Sequence, residues 1–105
     1  MEGEFRVETF VSDGAALGVR IHGELDTATA ESLLQTFEAW PESTGSCVVD
    51  LANCDFLDSS GIRALLLCHR RLDGGKGTLR LLNVRPHIER VLRIAGVQEV
   101  IQIEA

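Results

Sequence analysis

The chain has 105 residues, 45% of them apolar and 25% charged, with a formal net charge of −6. That length suits one domain with one hydrophobic core, and this composition excludes a disordered chain. The acidic balance argues against a nucleic-acid binder, which needs clustered Lys and Arg to meet phosphates.

Phe5, Val7, Thr9 and Val11 alternate with polar neighbours and predict a strand. Ser12-Asp13-Gly14 is a turn signal. Leu17, Val19 and Ile21 then alternate with Gly18, Arg20 and His22, which predicts a second strand in a hairpin with the first. The period changes next. Ala30, Leu33, Leu34, Phe37 and Trp40 fall at helical spacing, with Asp26 or Thr27 available as the cap and Pro41 as the stop. Cys47-Val48-Val49-Asp50-Leu51 reads as a buried central strand. A loop over Ala52 to Asp58 leads to a second helix marked by Ile62, Leu65, Leu66, His69 and Leu72. The glycines of Asp73-Gly74-Gly75-Lys76-Gly77 end it. Leu79 and Leu81 give another strand. Pro86 suits the first turn of a third helix, whose apolar face is Ile88, Val91, Leu92 and Ala95 and whose C-terminal cap is Gly96. Val100 to Ile103 is the last strand. The predicted order is β-β-α-β-α-β-α-β in one domain over 1–105. The class is α/β: a mixed sheet of four or five strands with helices packed against it.

Cys47, Cys54 and Cys68 are odd in number and form no disulfide framework. Cys47 and Cys68 sit in apolar runs, as small buried hydrophobes do. No run approaches the ~20 apolar residues of a membrane span. The opening Met1-Glu2-Gly3-Glu4 is followed by no apolar segment of a secretory signal, so the expected home is the cytoplasm. The basic stretches Arg70-Arg71 and Arg85 to Arg93 read as solvated helix faces.

In parallel α/β sheets, sites lie beyond the carboxyl ends of strands. Two segments qualify here: Gly23-Glu24-Leu25-Asp26, and the loop ending in Asp58-Ser59-Ser60-Gly61. The second supplies three cap-competent residues where one suffices, followed by a glycine that leaves the backbone open to close approach. A hydroxyl there is reachable by a kinase, and a phosphate on it would meet the positive end of the helix dipole. Arg63, four residues after Ser59, lies on the same face and can hold that phosphate. Local chemistry leaves two readings open, a plain cap and a phosphoacceptor. Glu24, Asp26 and Asp58 are candidates for an acidic rim around the serine; capping by Asp26 and simple solvation of Glu24 is the other account.

Catalytic readings are weaker. Leu57-Asp58-Ser59-Ser60-Gly61 is not the Gly-x-Ser-x-Gly turn of a serine hydrolase. No histidine is set beside a serine by sequence. Asp73 to Gly77 follows a helix and lacks the phosphate-loop pattern. No Cys/His spacing predicts zinc. The expectation is a protein-binding module: no enzyme, no cofactor and no metal.

Asp50-Leu51-Ala52-Asn53-Cys54-Asp55-Phe56-Leu57-Asp58-Ser59-Ser60-Gly61-Ile62 resembles the signature of STAS domains, specifically bacterial anti-anti-sigma factors (anti-sigma factor antagonists). Gly23-Glu24-Leu25-Asp26 resembles the same family's first loop. Element order, length and the helix running from Pro86 to Ala95-Gly96-Val97 fit as well, so the resemblance covers nearly the whole chain. It implies the STAS fold and a partner-switching cycle. The unphosphorylated protein binds an anti-sigma factor that is itself a serine kinase with its own ATP, which frees a sigma factor. The kinase then phosphorylates Ser59 and the complex loosens. A phosphatase resets the cycle. By the same resemblance Glu24, Asp26, Asp58, Ser60 and Gly61 join Ser59 in the partner-binding surface, beside Arg63. The chain is expected to be a monomer or weak dimer, without membrane insertion. Two departures stand out: the chain ends soon after Ile103, where the family commonly has a final helix, and Cys54 replaces an aliphatic residue. Two other functions compete. One is a STAS scaffold or regulatory subunit of a stress-sensing or lipid-transfer complex. The other is a serine hydrolase.

Overall fold

The computed structural model describes residues 5–12, 17–41, 44–74 and 76–105. The elements are β1 (Arg6–Val11), β2 (Leu17–Leu25), α1 (Ala30–Glu38), β3 (Cys47–Asp50), β4 (Cys54–Leu57), α2 (Ser59–Gly74), β5 (Leu79–Leu82), α3 (Pro86–Ile94) and β6 (Gln102–Ile103), with a 3-10 turn over Val97–Glu99 before β6. The expected α/β order is present with one strand more, because part of the expected loop over Ala52 to Asp58 is β4. The last strand is shorter than expected, since Val100 and Ile101 follow the 3-10 turn instead of pairing. The predicted turn at Ser12-Asp13-Gly14 falls largely on residues 13–16, outside the described ones.

The sheet runs β1-β2-β3-β5-β6, with β4 paired to β2 off this path. β1 and β2 pair antiparallel; β3, β4, β5 and β6 join in parallel. Parallel pairing follows from the helices, which carry the chain back between strands. Along one register row, Val19 of β2 meets Val49 of β3, Val49 meets Leu81 of β5, and Leu81 meets Ile103 of β6. This row faces the helices. Its residues share the core with Leu33 and Phe37 of α1, Leu65 and Cys68 of α2, and Ile88 and Leu92 of α3. Burial of such side chains, each worth about 1.5–3 kcal/mol, is the main stabilising term.

Side chains alternate across a strand, so the neighbouring row lies on the sheet's other face. Glu8, Arg20 and Asp50 stand side by side there. Arg20 Nε donates to Asp50 Oδ2 at 3.2 Å, and its guanidinium lies 4.5 Å over the ring of Phe10. That ring covers Gly18, where any Cβ would come within 2.4 Å of it.

Local signals explain the helix ends. Pro86 opens α3, where a missing N–H costs nothing. Gly96 follows α3 with φ 80°, the left-handed turn that terminates helices. Arg71 of α2 donates to the carbonyls of Phe37, Glu38 and Trp40 at 3.1, 3.3 and 2.9 Å, closing the C-terminal end of α1. The three cysteines are free and buried. Burial pushes the Cys47 and Cys68 thiols up to about 12 and raises that of Cys54, so none is a ready nucleophile. Among the described residues no helix is long and apolar enough to cross a membrane.

Candidate functional site

β2 changes partner along its length. Leu17 to Arg20 pair with β3, and from Gly23 onward the strand pairs with β4. The switch occurs at Gly23, whose φ of 99° is accessible mainly to glycine and whose N–H donates to Asn53 O at 3.0 Å. Beyond it Glu24 stands against Phe56 and Leu25 against Leu57. The two strands therefore end together, and the segments that leave them, beginning at Asp26 and Asp58, emerge side by side. Asp58 N–H still donates to Leu25 O at 3.3 Å.

Each aspartate is occupied locally. Asp58 Oδ1 accepts the N–H groups of Ser60 at 2.9 Å and Gly61 at 3.1 Å, so it is the N-cap of α2. Asp26 Oδ1 accepts from Ala28 N–H at 3.0 Å and Thr29 N–H at 3.2 Å, which shapes the turn into α1. Thr29 Oγ1 adds a bond to Glu24 O at 2.6 Å. The formal cap position of α1 is Thr29, which makes no side-chain cap bond. Of the three acidic residues named from the sequence, two spend their carboxylates on backbone N–H groups. Glu24 is exposed, and its carboxylate makes no hydrogen bond or ion pair among the described residues.

With Asp58 as cap, the two serines separate. Ser59 is the first residue of α2 and is exposed, and its hydroxyl makes no hydrogen bond among the described residues. Ser60 is half-buried, and its Oγ lies 2.9 Å from Thr27 Oγ1. Gly61 is buried under β2 and β4: a Cβ there would stand 2.5 Å from Leu25 O and 2.6 Å from Leu57 Cδ1. Arg63 is exposed and lines a cleft with Ser60 and Thr27. The structure thus gathers Asp26, Asp58, Ser59, Ser60 and Gly61 at one end of the sheet.

Sequence reasoning offered Thr27 only as a cap and missed its contact with Ser60. It also missed the anchoring of β4. Arg85 Nη2 donates to Cys54 O at 3.1 Å and to Asp55 Oδ1 at 2.8 Å, and His87 Nε2 donates to Asp55 O at 3.0 Å. Both contacts depend on pairing between distant segments, and the Arg85-Pro86-His87 run carries no signal for them. Among the described residues none of the three histidines is hydrogen-bonded to a serine; His22 instead bonds Glu8 Oε1 at 2.9 Å. Among the described residues no group of three or more His, Cys, Asp or Glu is placed to hold a metal ion.

Comparison with known proteins converges on one family. The anti-sigma F factor antagonist of Paenibacillus polymyxa is 30% identical over 87 residues, covering 81% of this chain and 74% of that protein. Two solved structures share the fold, each at 23% identity. An anti-sigma factor antagonist from Mycobacterium paratuberculosis gives a TM-score of 0.81 over 99% of this chain and 88% of its own. The Bacillus cell fate determinant SpoIIAA in its phosphorylated form gives 0.68 over 97% and 92%. The family model described as "Mlab, STAS domain" matches residues 8–102, and the chain belongs to the STAS domain family.

Proposed function

We propose that this protein is an anti-sigma factor antagonist: it binds an anti-sigma factor serine kinase, frees a sigma factor, and is switched off by phosphorylation at Ser59. The observation that carries this is the Ser59 hydroxyl at the first position of α2, exposed and without a hydrogen bond among the described residues, in a chain of this family.

The chemistry favours Ser59 over Ser60. The Ser60 hydroxyl is engaged with Thr27 and half-buried, whereas Ser59 is open to a kinase that brings its own ATP. A phosphate adds about −1.5 to −2 charges, and at a helix N-terminus it is locally tolerated, with Arg63 one turn on to hold it. The same phosphate adds charge and bulk in the middle of the partner-binding surface around Glu24, Asp26, Asp58 and Ser60; Gly61, expected to leave the backbone open to a partner, is instead buried beneath it against Leu25 and Leu57. A hundredfold loss of affinity requires about 2.8 kcal/mol, within reach of such a change. Dephosphorylation by a phosphatase restores binding. The protein works without catalysis or a cofactor of its own.

The test is phosphopeptide mapping of the protein from its own cells, combined with recovery of the kinase partner. A single phosphate on Ser59 is expected. Ser59→Ala should hold the kinase and resist release by ATP, and Ser59→Asp should bind it poorly. Full phosphorylation of Ser59→Ala, or Ser59→Asp binding as tightly as wild type, refutes the switch. A second reading is a STAS scaffold or regulatory subunit of a stress-sensing or lipid-transfer assembly, which the family match over residues 8–102 accommodates equally. In that case Ser59 touches the partner and carries no phosphate, so the same mapping decides between the two.

A further inference from the structure

Next to the contact between Ser60 and Thr27, a groove opens on the surface between α1 and α2. It consists of two cavities, about 220 Å³ and about 460 Å³, and both are lined by Leu34 of α1 and Leu67 of α2. Together they make one trough from Ser60 at the first turn of α2 to Gly74 at its end. At 1.5 Å per helical residue this is roughly 21 Å long.

The walls carry opposite charges. Glu31 and Glu38 line it from α1, seven residues apart, and Arg63 and Arg70 line it from α2 at the same spacing. Seven residues is about two helical turns, so each pair sits on one face of its helix. All four are exposed. Among the described residues none of the four makes a side-chain ion pair or hydrogen bond, along its helix or across the trough. Some surface charges elsewhere do close, as Arg93 reaches Glu89 at 2.7 Å and Arg85 reaches Asp55 at 2.8 Å, while Glu24, like these four, stays open among the described residues. What sets the trough apart is that its open charges stand in two rows of opposite sign.

We propose that this trough seats an amphipathic helix of the partner protein, with an apolar ridge over Leu34 and Leu67, a basic flank against Glu31 and Glu38, and an acidic flank against Arg63 and Arg70. The proposal rests on the reading of the chain as a partner-binding protein and names the partner's chemistry. An apolar groove between charged rows is the geometry that receives helices with anchors at i, i+3, i+4 and i+7. The trough takes about four turns. A small molecule would fill the larger cavity and leave Glu31 and Arg63 without partners. A second copy of this chain brings a like net charge of −6, which opposes close association. The groove also meets the Ser59 surface at the Ser60–Thr27 end, so one partner can cover both.

The test uses synthetic helical peptides of about 16 residues with one leucine ridge and three kinds of flank: Glu on one side and Lys on the other, Lys on both, and Glu on both. Binding is read by fluorescence anisotropy and by amide shifts of the 15N-labelled protein. The mixed-flank peptide should bind best and shift Leu34 and Leu67. Arg63→Glu with Arg70→Glu should weaken it roughly tenfold and turn preference to the Lys-flanked peptide. Glu31→Lys with Glu38→Lys should turn it to the Glu-flanked one. Equal binding of all three peptides, shifts confined to other surfaces, or preferences unmoved by the charge reversals overturn the proposal. So does self-association of the free protein through the same residues, or displacement of the peptide by a small apolar anion such as octanoate. No kinase is present in this assay, so its outcome is independent of whether Ser59 accepts phosphate.

Discussion

The hydroxyls of Thr27 and Ser60 stand 2.9 Å apart across 33 residues of sequence. The contact exists because Leu25 and Leu57 are paired on β2 and β4, so the chain leaves both strands at the same level. It engages one serine of the Ser59-Ser60 pair and leaves the other open. Two identical neighbouring side chains thereby acquire different chemistry, one a link between loops and the other an exposed nucleophilic acceptor.

The Asp58 carboxylate satisfies two N–H groups at the start of α2. Asp58→Ala should cost about 1 kcal/mol, lowering the melting temperature by about 4–8 °C for a domain of this size. Asp58→Asn keeps an accepting oxygen and should lose much less. Melting curves followed by circular dichroism check this; an Asp58→Ala protein that melts with the wild type shows that the cap contributes nothing.

In a solvent-facing helix Gly→Ala stabilises by up to about 1 kcal/mol. At Gly61 the sign should reverse. The added methyl would meet the Leu25 carbonyl at 2.5 Å and Leu57 Cδ1 at 2.6 Å, and the carbonyl belongs to a strand that cannot move without disturbing β4. Gly61→Ala should lose about 1–3 kcal/mol, read as a lower urea midpoint with an unchanged slope. A methyl added at Gly74 would meet nothing within 4 Å, so Gly74→Ala is the control and should not be destabilised. Equal behaviour of the two variants contradicts the close packing of Gly61 under β2 and β4.

Asp50 is buried on the helix-free face of the sheet. Burial opposes its charge, but bonds from Ala52 N–H, Asn83 and Arg20 outweigh it and hold the carboxyl below its ordinary range. A depressed folded-state pKa means that the unfolded chain binds more protons in that window, so stability rises with pH through it. The contribution is fully present above about pH 5 and is lost as pH falls through the folded value. Glu8 acts in the same direction, held down first by its hydrogen bond with His22. Asp50→Asn should flatten part of the acid side of the stability–pH curve, measured by urea unfolding between about pH 3 and 7. An unchanged slope sinks the assignment.

Much of this protein was legible in one dimension. The period-2 run from Leu17 to Ile21, the helical spacing from Leu33 to Phe37, Pro86 at a helix start and Gly96 past its end are local rules, and the structure follows them. β4 was hidden because four residues carry too little periodicity: Cys54 and Leu57 are buried while Asp55 and Phe56 between them are exposed, an i, i+3 spacing that suits a helical turn and not the alternation of a strand. It forms because β2 offers an unpaired edge beyond Gly23 and because Arg85 and His87 hold Asp55 from the other side.

The same division runs through the site. The sequence alone determined that acids, serines and a glycine stand at the carboxyl ends of two strands, because capping chemistry and strand order are written locally. It left Asp58, Ser59 and Ser60 as equal cap candidates and treated Glu24, Asp26 and Asp58 as one rim. Folding selects among these candidates: the Asp58 and Asp26 carboxylates turn onto backbone N–H groups, Ser60 is taken up by Thr27, and the Ser59 hydroxyl stays exposed with no hydrogen bond among the described residues. The contact between Ser60 and Thr27 depends on the β2–β4 register, which sets residues 33 positions apart at hydrogen-bonding distance. A register is a property of two segments packed together and is not carried by either one.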